Sequence, residues 1–405
     1  MIISSIDRSC STVSIRRDAW RSKPRHDGGG RNAVKILIVS PYFEEQGGGV
    51  ERVAARSGEA LAAAGHVCRW AAAVAGPVGG LPRPEHIPLA AWDGLSRITG
   101  APLPFLFPTA FRRLGRAVRE ADAVIIHDAL YLSSIATMIF ARAIGRPVVL
   151  VQHIGLVTYR NPLLRTAMRI ANRLVARPML RAARRAIFIS AAVRDQFGDV
   201  AWREPPLLLF NGLEAERFGL PCASRRARIR GELGITDKQS VLLFVGRFVE
   251  KKGLSVLRRL AASLPNHHVL LAGAGPIEPR AWQLANIDCI GPVDRDRLAD
   301  LYAAADALVL PSHGEGYPLV VQEALACGLT VFAGLDSARA DPGAAKFIHG
   351  IEVTPDNSKV TADRFAAAIR RSSLERNAAA SAHALATYSW STMARSIACE
   401  LEERP

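Results

Sequence analysis

Short, uninterrupted apolar runs alternate along this chain with longer stretches in which apolar positions recur every three to four residues. The first run, Lys35-Ile36-Leu37-Ile38-Val39-Ser40, reads as a strand covered on both faces, as in a parallel sheet. An amphipathic helix over 50–64 follows, ended by Gly65-His66, and further strands are expected at 123–126, 148–152 and 186–189, with helical stretches between. The second half repeats the scheme. Its expected strands are 207–210, 241–245, 268–272, 307–310 and 330–333, and its expected helices 254–263, 296–304, 319–327 and 360–370. Strand–helix alternation of this kind predicts an α/β protein of two Rossmann-like doubly wound domains facing across a cleft. Helical spacing through Met393, Ile397 and Leu401 predicts one more helix, capped by Ser389.

Length agrees with this division. The 405 residues suit two domains of roughly 150–200 each, with half the chain apolar and two cores to fill. The expected boundaries are an extension over 1–33, a first domain over 34–205, a second over 206–386 and a terminal segment over 387–405. The extension is rich in Ser, Arg and Gly without a sustained period. It reads as a disordered tail, with a transit peptide or a wrongly chosen start as alternatives. No apolar run reaches the roughly 18 residues of a spanning helix, so a soluble or peripheral protein is expected. The six cysteines lie far apart without a C-x-x-C pair, which suits a reducing compartment and predicts buried, inert thiols.

Charge is unevenly placed. Residues 1–205 hold 29 Lys+Arg against 15 Asp+Glu, whereas residues 206–405 hold 23 against 22. The first half therefore favours anionic partners. Arg165, Arg169, Arg173, Arg177 and Arg181 recur every four residues and predict a cationic stripe on a helix that Pro178 kinks or splits. Either a solvated face or contact with an anionic membrane surface accounts for it. No nucleic-acid motif with interleaved aromatics accompanies the charge.

The chemistry concentrates after strand ends. In Pro311-Ser312-His313-Gly314-Glu315-Gly316-Tyr317-Pro318-Leu319-Val320, a strand gives way to a Gly-flanked loop and a helix start. Free amides and the dipole at such a helix start make an anion site suited to phosphate. Glu315 lies in the loop and Glu323 about one turn into the helix. Val245-Gly246-Arg247-Phe248-Val249-Glu250-Lys251-Lys252-Gly253 places Arg247 and Lys252 past another strand end, either as a solvated loop or as two cations able to stabilise a departing diphosphate.

Together these two segments resemble the retaining, GT-B-fold glycosyltransferases of family 4, with their E-x7-E signature and G-R-x4-K-G loop. Further pieces match in family order: Gly47-Gly48-Gly49 with Val50-Glu51, His153 after a strand, Asn211-Gly212, Gly273-Ala274-Gly275-Pro276, and Asp306. The likeness runs from about Val34 to Gly328. It implies that Arg247 and Lys252 grip the donor diphosphate, that Glu315 holds the transferring sugar, and that Glu323 holds the ribose. It also implies that amides near Leu319 and Val320 touch phosphate, that Gly48 and Gly49 approach phosphate or acceptor, and that His153 lines the sugar pocket. His127 reads as a core histidine instead. The terminal helix is implied to cross back onto the first domain, anchored by Trp390.

On that resemblance the expected activity is sugar transfer from a UDP- or GDP-linked donor to a glycan or lipid-linked acceptor, with no cofactor and no metal. It is expected in the cytoplasm, at the inner membrane face. Front-face attack, with a donor phosphate oxygen helping to deprotonate the acceptor hydroxyl, is the usual account of retention in this family. Asp294-Arg295-Asp296 mimics a metal-binding D-x-D, yet Asp294 reads better as a helix cap. Two departures stand out: Tyr317-Pro318 where Phe-Gly is commoner, and a 334–339 segment lacking the usual glycine-rich, acid-containing loop. A sugar-nucleotide epimerase and a catalytically silent binding subunit are the rival readings.

Overall fold

The computed structural model describes residues 33–44, 48–74, 85–94, 104–155 and 162–402. Residues 1–32 of the extension expected over 1–33, and Gly47, lie outside them.

Two sheets form the frame. The first has eight strands in the order β4-β3-β2-β1-β5-β6-β7-β8. They are β1 Lys35–Tyr42, β2 Val67–Val74, β3 His86–Trp92, β4 Phe105–Leu106, β5 Ala123–His127, β6 Val148–Gln152, β7 Arg185–Phe188 and β8 Leu207–Leu208. All pairings are parallel except β3 with β4. The second sheet has six parallel strands in the order β11-β10-β9-β12-β13-β14. These are β9 Ser240–Val245, β10 His267–Ala272, β11 Ile287–Gly291, β12 Ala307–Leu310, β13 Thr330–Gly334 and β14 Ile348–Ile351. The strand expected to open the second half is thus corrected. Ile187 pairs with Leu207 and Phe188 with Leu208, so β8 closes the first sheet.

The central strands form because both their faces are covered: every residue of β5, β6 and β12 is buried. Chain order reverses beside β1 in the first sheet and beside β9 in the second. Crevices open beyond the carboxyl ends of strands at such switch points. Here those ends carry Gly48, His127 and His153 on one side, and Arg247 and Glu315 on the other.

The terminal helix Trp390–Glu402 crosses to the first domain, as expected. Met393, Ala394, Ile397, Ala398 and Leu401 join the core built on Ile36, Ile38 and Val151, with Trp390 packed against it. Burial of Met393, Ile397 and Leu401 contributes about 1.5–3 kcal/mol each. Arg185 Nε donates to Glu400 Oε2 at 2.6 Å, fixing the far end, and the Ser389 hydroxyl caps the helix by accepting from the Thr392 amide.

The arginine-rich segment is continuously helical from Pro162 to Ala182, with a π turn at Asn172–Ala176. The wider π turn, immediately before Pro178, absorbs the ring that an unbroken α-helix would exclude. Arg165, Arg169, Arg173 and Arg181 are exposed. Arg177 departs from the stripe: it pairs with Asp199 at 3.0 Å and lies over the Phe197 ring. Among the described cysteines, Cys68 and Cys327 are buried, but Cys222 and Cys399 are exposed, against the expectation of uniformly buried thiols.

Candidate active site

On the first domain, Gly48 is the N-cap of the helix Gly49–Ala63, and Glu51 lies in that helix's first turn. The Glu51 side chain folds back so closely over Gly48 that a Cβ there would overlap its carboxylate. Glu51 is buried, and burial pushes its carboxyl up to about 7, although its own backbone amide and Arg247 across the cleft pull the other way.

Beside it, β5 ends in His127 and β6 leads into His153, both buried. Their rings share a hydrogen bond between His127 Nδ1 and His153 Nε2 at 2.9 Å. Burial lowers His127 to about 3 and holds His153 well below the usual imidazole range, so both rings are neutral. One donates and the other accepts. His127, read from the sequence as a core histidine, is therefore also the partner of the candidate sugar-pocket histidine.

Asp128 holds the backbone beneath His153. It adopts the left-handed conformation at φ 63, which Asp tolerates better than most residues. Its Oδ1 accepts from the His153 amide at 2.8 Å and the Ile154 amide at 3.2 Å. Burial nevertheless raises Asp128 to about 7, against those two amides and Lys251, with Glu51 adding to the rise.

On the second domain, the loop after β9 carries Arg247, exposed to the cleft, then Lys251 and Lys252 in a short 3₁₀ turn. Gly253 follows at φ 80, its Cα so close to the Pro311 carbonyl that a side chain would collide. That contact seats the lysine turn against the loop bearing Glu315. Lys252 Nζ reaches Glu315 Oε2 at 3.0 Å. Burial alone would raise the Glu315 carboxyl, yet Lys252 and Lys251 hold it below the ordinary carboxylate range. Burial lowers Lys251 in turn, and Glu315 resists that shift. No motif in the sequence marks Lys251; its place beside Lys252 is the signal that points to it.

The helix Leu319–Ala326 begins directly after Pro318, so the Leu319 and Val320 amides stand at its open N-terminus. Glu323 lies a turn in, and 2% of it is exposed. Arg295 Nη1 donates to its Oε1 at 2.7 Å, and the Tyr302 hydroxyl donates to its Oε2 at 3.0 Å. Both oxygens are thus held within the protein, a pairing that sequence reading missed. Asp294 caps its helix by accepting from the Arg297 amide at 2.8 Å, and Asp296 pairs with Arg217. The two acids of the D-x-D are therefore committed to a cap and an ion pair. Asp306 is structural as well: it pairs with Arg226 and Arg230 and accepts from the Val241 amide.

The two sequence departures have local explanations. The buried Tyr317 hydroxyl shares a 2.7 Å hydrogen bond with Tyr388, whose own hydroxyl reaches Asp341 Oδ2 at 2.7 Å. In the segment after β13, Asp336 Oδ2 accepts from the Gly314 amide at 3.2 Å and so supports the loop before Glu315.

The halves meet where Gly316 packs against the His153 carbonyl and the Ala191 amide donates to the Ala340 carbonyl at 2.7 Å. This junction sets His153 beside Gly316, the neighbour of Glu315, while Lys252 pairs with Glu315 and Arg247 acts across it on Glu51. Its cations can hold a diphosphate, and its neutral imidazole and carboxylate can hold a sugar.

Comparison with known proteins agrees with this fold. The profile described as "Glycosyltransferase Family 4" matches residues 47–217, and that described as "Glycosyl transferases group 1" matches residues 225–384. A D-inositol 3-phosphate glycosyltransferase of Mycobacteroides abscessus is 35% identical over 188 residues, 42% of this chain and 41% of that one. A GDP-mannose-dependent phosphatidylinositol monomannoside mannosyltransferase of Corynebacterium glutamicum is 26% identical, over 48% of this chain and 55% of that one. The chain thus matches about half or less of these relatives' length. Among solved structures, Anabaena HepE in complex with UDP and glucose superposes with a TM-score of 0.65 at 19% identity, over 91% of this chain and 99% of that one. With both halves matched and two Rossmann-like domains beneath them, the chain belongs to glycosyltransferase family 4 and has the GT-B fold.

Proposed function

We propose that the protein is a retaining glycosyltransferase that moves a sugar from a UDP- or GDP-linked donor to a lipid-linked or polysaccharide acceptor in envelope or exopolysaccharide synthesis. The observation that carries this reading is the Lys252–Glu315 pair at 3.0 Å, flanked by Lys251, with the next residue, Gly316, packed against the His153 carbonyl. Lys252 and Arg247 bind the diphosphate and stabilise its charge as the anomeric bond breaks. The Leu319 and Val320 amides, at a dipole end, add to that stabilisation. Glu315 and His153 orient the sugar, Glu323 the ribose, and open space beside Gly49 admits phosphate or acceptor, the space over Gly48 being filled by the Glu51 carboxyl. The acceptor hydroxyl attacks from the face the diphosphate leaves, and its proton passes to a donor phosphate oxygen. Positioning and charge carry the rate, with no protein nucleophile, metal or cofactor. Both bases are kept because a relative is named for GDP-mannose and a structural neighbour holds UDP.

The test is calorimetric binding of UDP, GDP and ADP, then turnover of the matching sugar donors, with the product anomer read by NMR. Retained configuration supports the proposal. Binding without turnover favours a silent subunit, and a donor epimer favours an epimerase.

Contact with the inner face of an anionic membrane is a second element. It is supported by exposed Leu163, Ile170 and Leu174 on the same helical segment as exposed Arg165, Arg169 and Arg173. No helix among the described residues is long and apolar enough to cross a membrane. Flotation with phosphatidylglycerol vesicles but not phosphatidylcholine vesicles, lost on replacing Ile170 and Leu174 by Ser, is the expected outcome. Equal flotation with both vesicle types would exclude a charge-driven contact.

A further inference from the structure

A chain of ion pairs links the two domains through the segment that joins them. Arg56, on the first-domain helix Gly49–Ala63, reaches Glu214 Oε1 at 3.1 Å. Glu214 lies just after Asn211-Gly212, where the chain passes between sheets. Its other oxygen accepts from Arg217 Nε at 2.8 Å, and Arg295 Nε approaches Oε1 at 3.6 Å. Arg295 then delivers its 2.7 Å hydrogen bond to Glu323 while its guanidinium lies over the Phe218 ring, 4.7 Å from the centroid.

The arrangement has a direction. Arg56 and Arg295 are like charges that approach one carboxylate oxygen, so Glu214 offsets their repulsion, while Glu59 holds Arg56 from its own helix at 2.7 Å. Separation of the domains withdraws Arg56 and leaves Glu214 to Arg217 and Arg295 alone. Arg295 is then free to turn from Glu323 toward Glu214. At the other end, the Glu323 carboxylate is fixed at both oxygens, by Arg295 and Tyr302. Each oxygen still keeps a lone pair that a ribose hydroxyl can use.

We propose that Arg295 is a positioning residue for Glu323, and that Glu214 couples it to Arg56, so that the acid facing the donor ribose is set in place only while the domains are together. The inference rests on the reading of Glu323 as the ribose-binding acid.

The readout is the preference for a ribonucleotide over its 2′-deoxy counterpart. The tightest binder among UDP, GDP and ADP and its 2′-deoxy form are titrated into wild type and into Glu323→Gln, Arg295→Gln, Arg295→Lys, Arg56→Gln and Glu214→Gln. Wild type is expected to prefer the ribose form by about tenfold. Glu323→Gln and Arg295→Gln bring the two within about twofold, Arg295→Lys restores part of the gap, and Arg56→Gln and Glu214→Gln fall between. Affinity for the deoxy form falls by less than affinity for the ribose form in every variant that loses the preference, which separates loss of ribose reading from general damage, and thermal melting confirms folding. A preference retained by Glu323→Gln overturns the ribose reading itself. A preference lost there but kept in Arg295→Gln overturns the positioning role. Loss in Arg295→Gln with wild-type behaviour in Arg56→Gln and Glu214→Gln overturns the coupling. Should Arg295→Gln not fold, Arg295→Lys and the two remote variants decide the matter.

Discussion

Gly316 of the second domain lies so close to the His153 carbonyl oxygen of the first that a Cβ would overlap it. The obstacle is backbone, so it cannot rotate away. Gly316→Ala must therefore shift the loop or wedge the domains apart. Either shift carries Glu315, the preceding residue, away from the proposed sugar-binding position beside His153. Misplacement of about 1 Å can cost a hundredfold in rate. The expected result is a transfer rate reduced roughly 10–100-fold, with nucleoside diphosphate affinity within about twofold of wild type. Steady-state kinetics beside calorimetry would show it, and a wild-type rate would mean that this contact is not held during turnover.

Lys252 does two things in one place. On the proposed reading it offers charge to the diphosphate, and it keeps Glu315 ionised against burial. Lys252→Ala should cost roughly 3–4 kcal/mol in kcat/KM, the order seen on removal of a preorganised donor. Because the two side chains act as a pair, adding Glu315→Gln to Lys252→Ala should cost much less than the sum of the single losses. Strict additivity in the double-mutant cycle would refute the pairing, and near-normal turnover of Lys252→Ala would refute its role on the diphosphate.

His127 touches His153 but lies at the buried end of β5. Replacing it by Phe keeps a planar ring, a little larger than imidazole, and removes the hydrogen bond that sets the His153 ring. A lost bond of this kind is worth about 1 kcal/mol. The transfer rate should fall about five- to tenfold with little change in donor KM, and His127→Asn should recover part of it. Rates for both variants equal to wild type would make His127 a packing residue alone.

Much of this arrangement was readable beforehand, for a physical reason. The core strands β1, β5, β6, β9 and β12 are covered on both faces and so appear as unbroken apolar runs. Strand β11, at a sheet edge, carries Asp288 and is only half-buried, and β3 alternates buried and open positions. Neither gave such a run. The two-residue β8 was assigned to the wrong half because its membership rests on pairing with β7, a tertiary fact. In the site, residues carried by local motifs stood out: Arg247, Lys252, Glu315 and Glu323. Arg295 did not, since its partner lies 28 residues away and its neighbours mimic a metal motif. His127 and Asp128 were visible only as polar interruptions of an apolar stretch. Their meaning depends on the strand beside them.

Asp128 makes the pH dependence of stability testable. Its carboxyl titrates near 7 when folded, against about 3.8 for the free group. Between those values the folded chain holds a proton that the unfolded chain has released. This group's contribution therefore falls as pH rises from about 4 to 7 and is flat above. Asn keeps the shape, tolerates the left-handed backbone and retains one oxygen to accept from the His153 and Ile154 amides. Asp128→Asn should accordingly gain on wild type across that window, by up to about 4 kcal/mol, with the two proteins closest near pH 4. Denaturant melts at pH 4, 5.5, 7 and 8 measure the difference. A gap independent of pH would mean that the carboxylate stays ionised in the fold, held there by Lys251 and the two amides more strongly than burial opposes it.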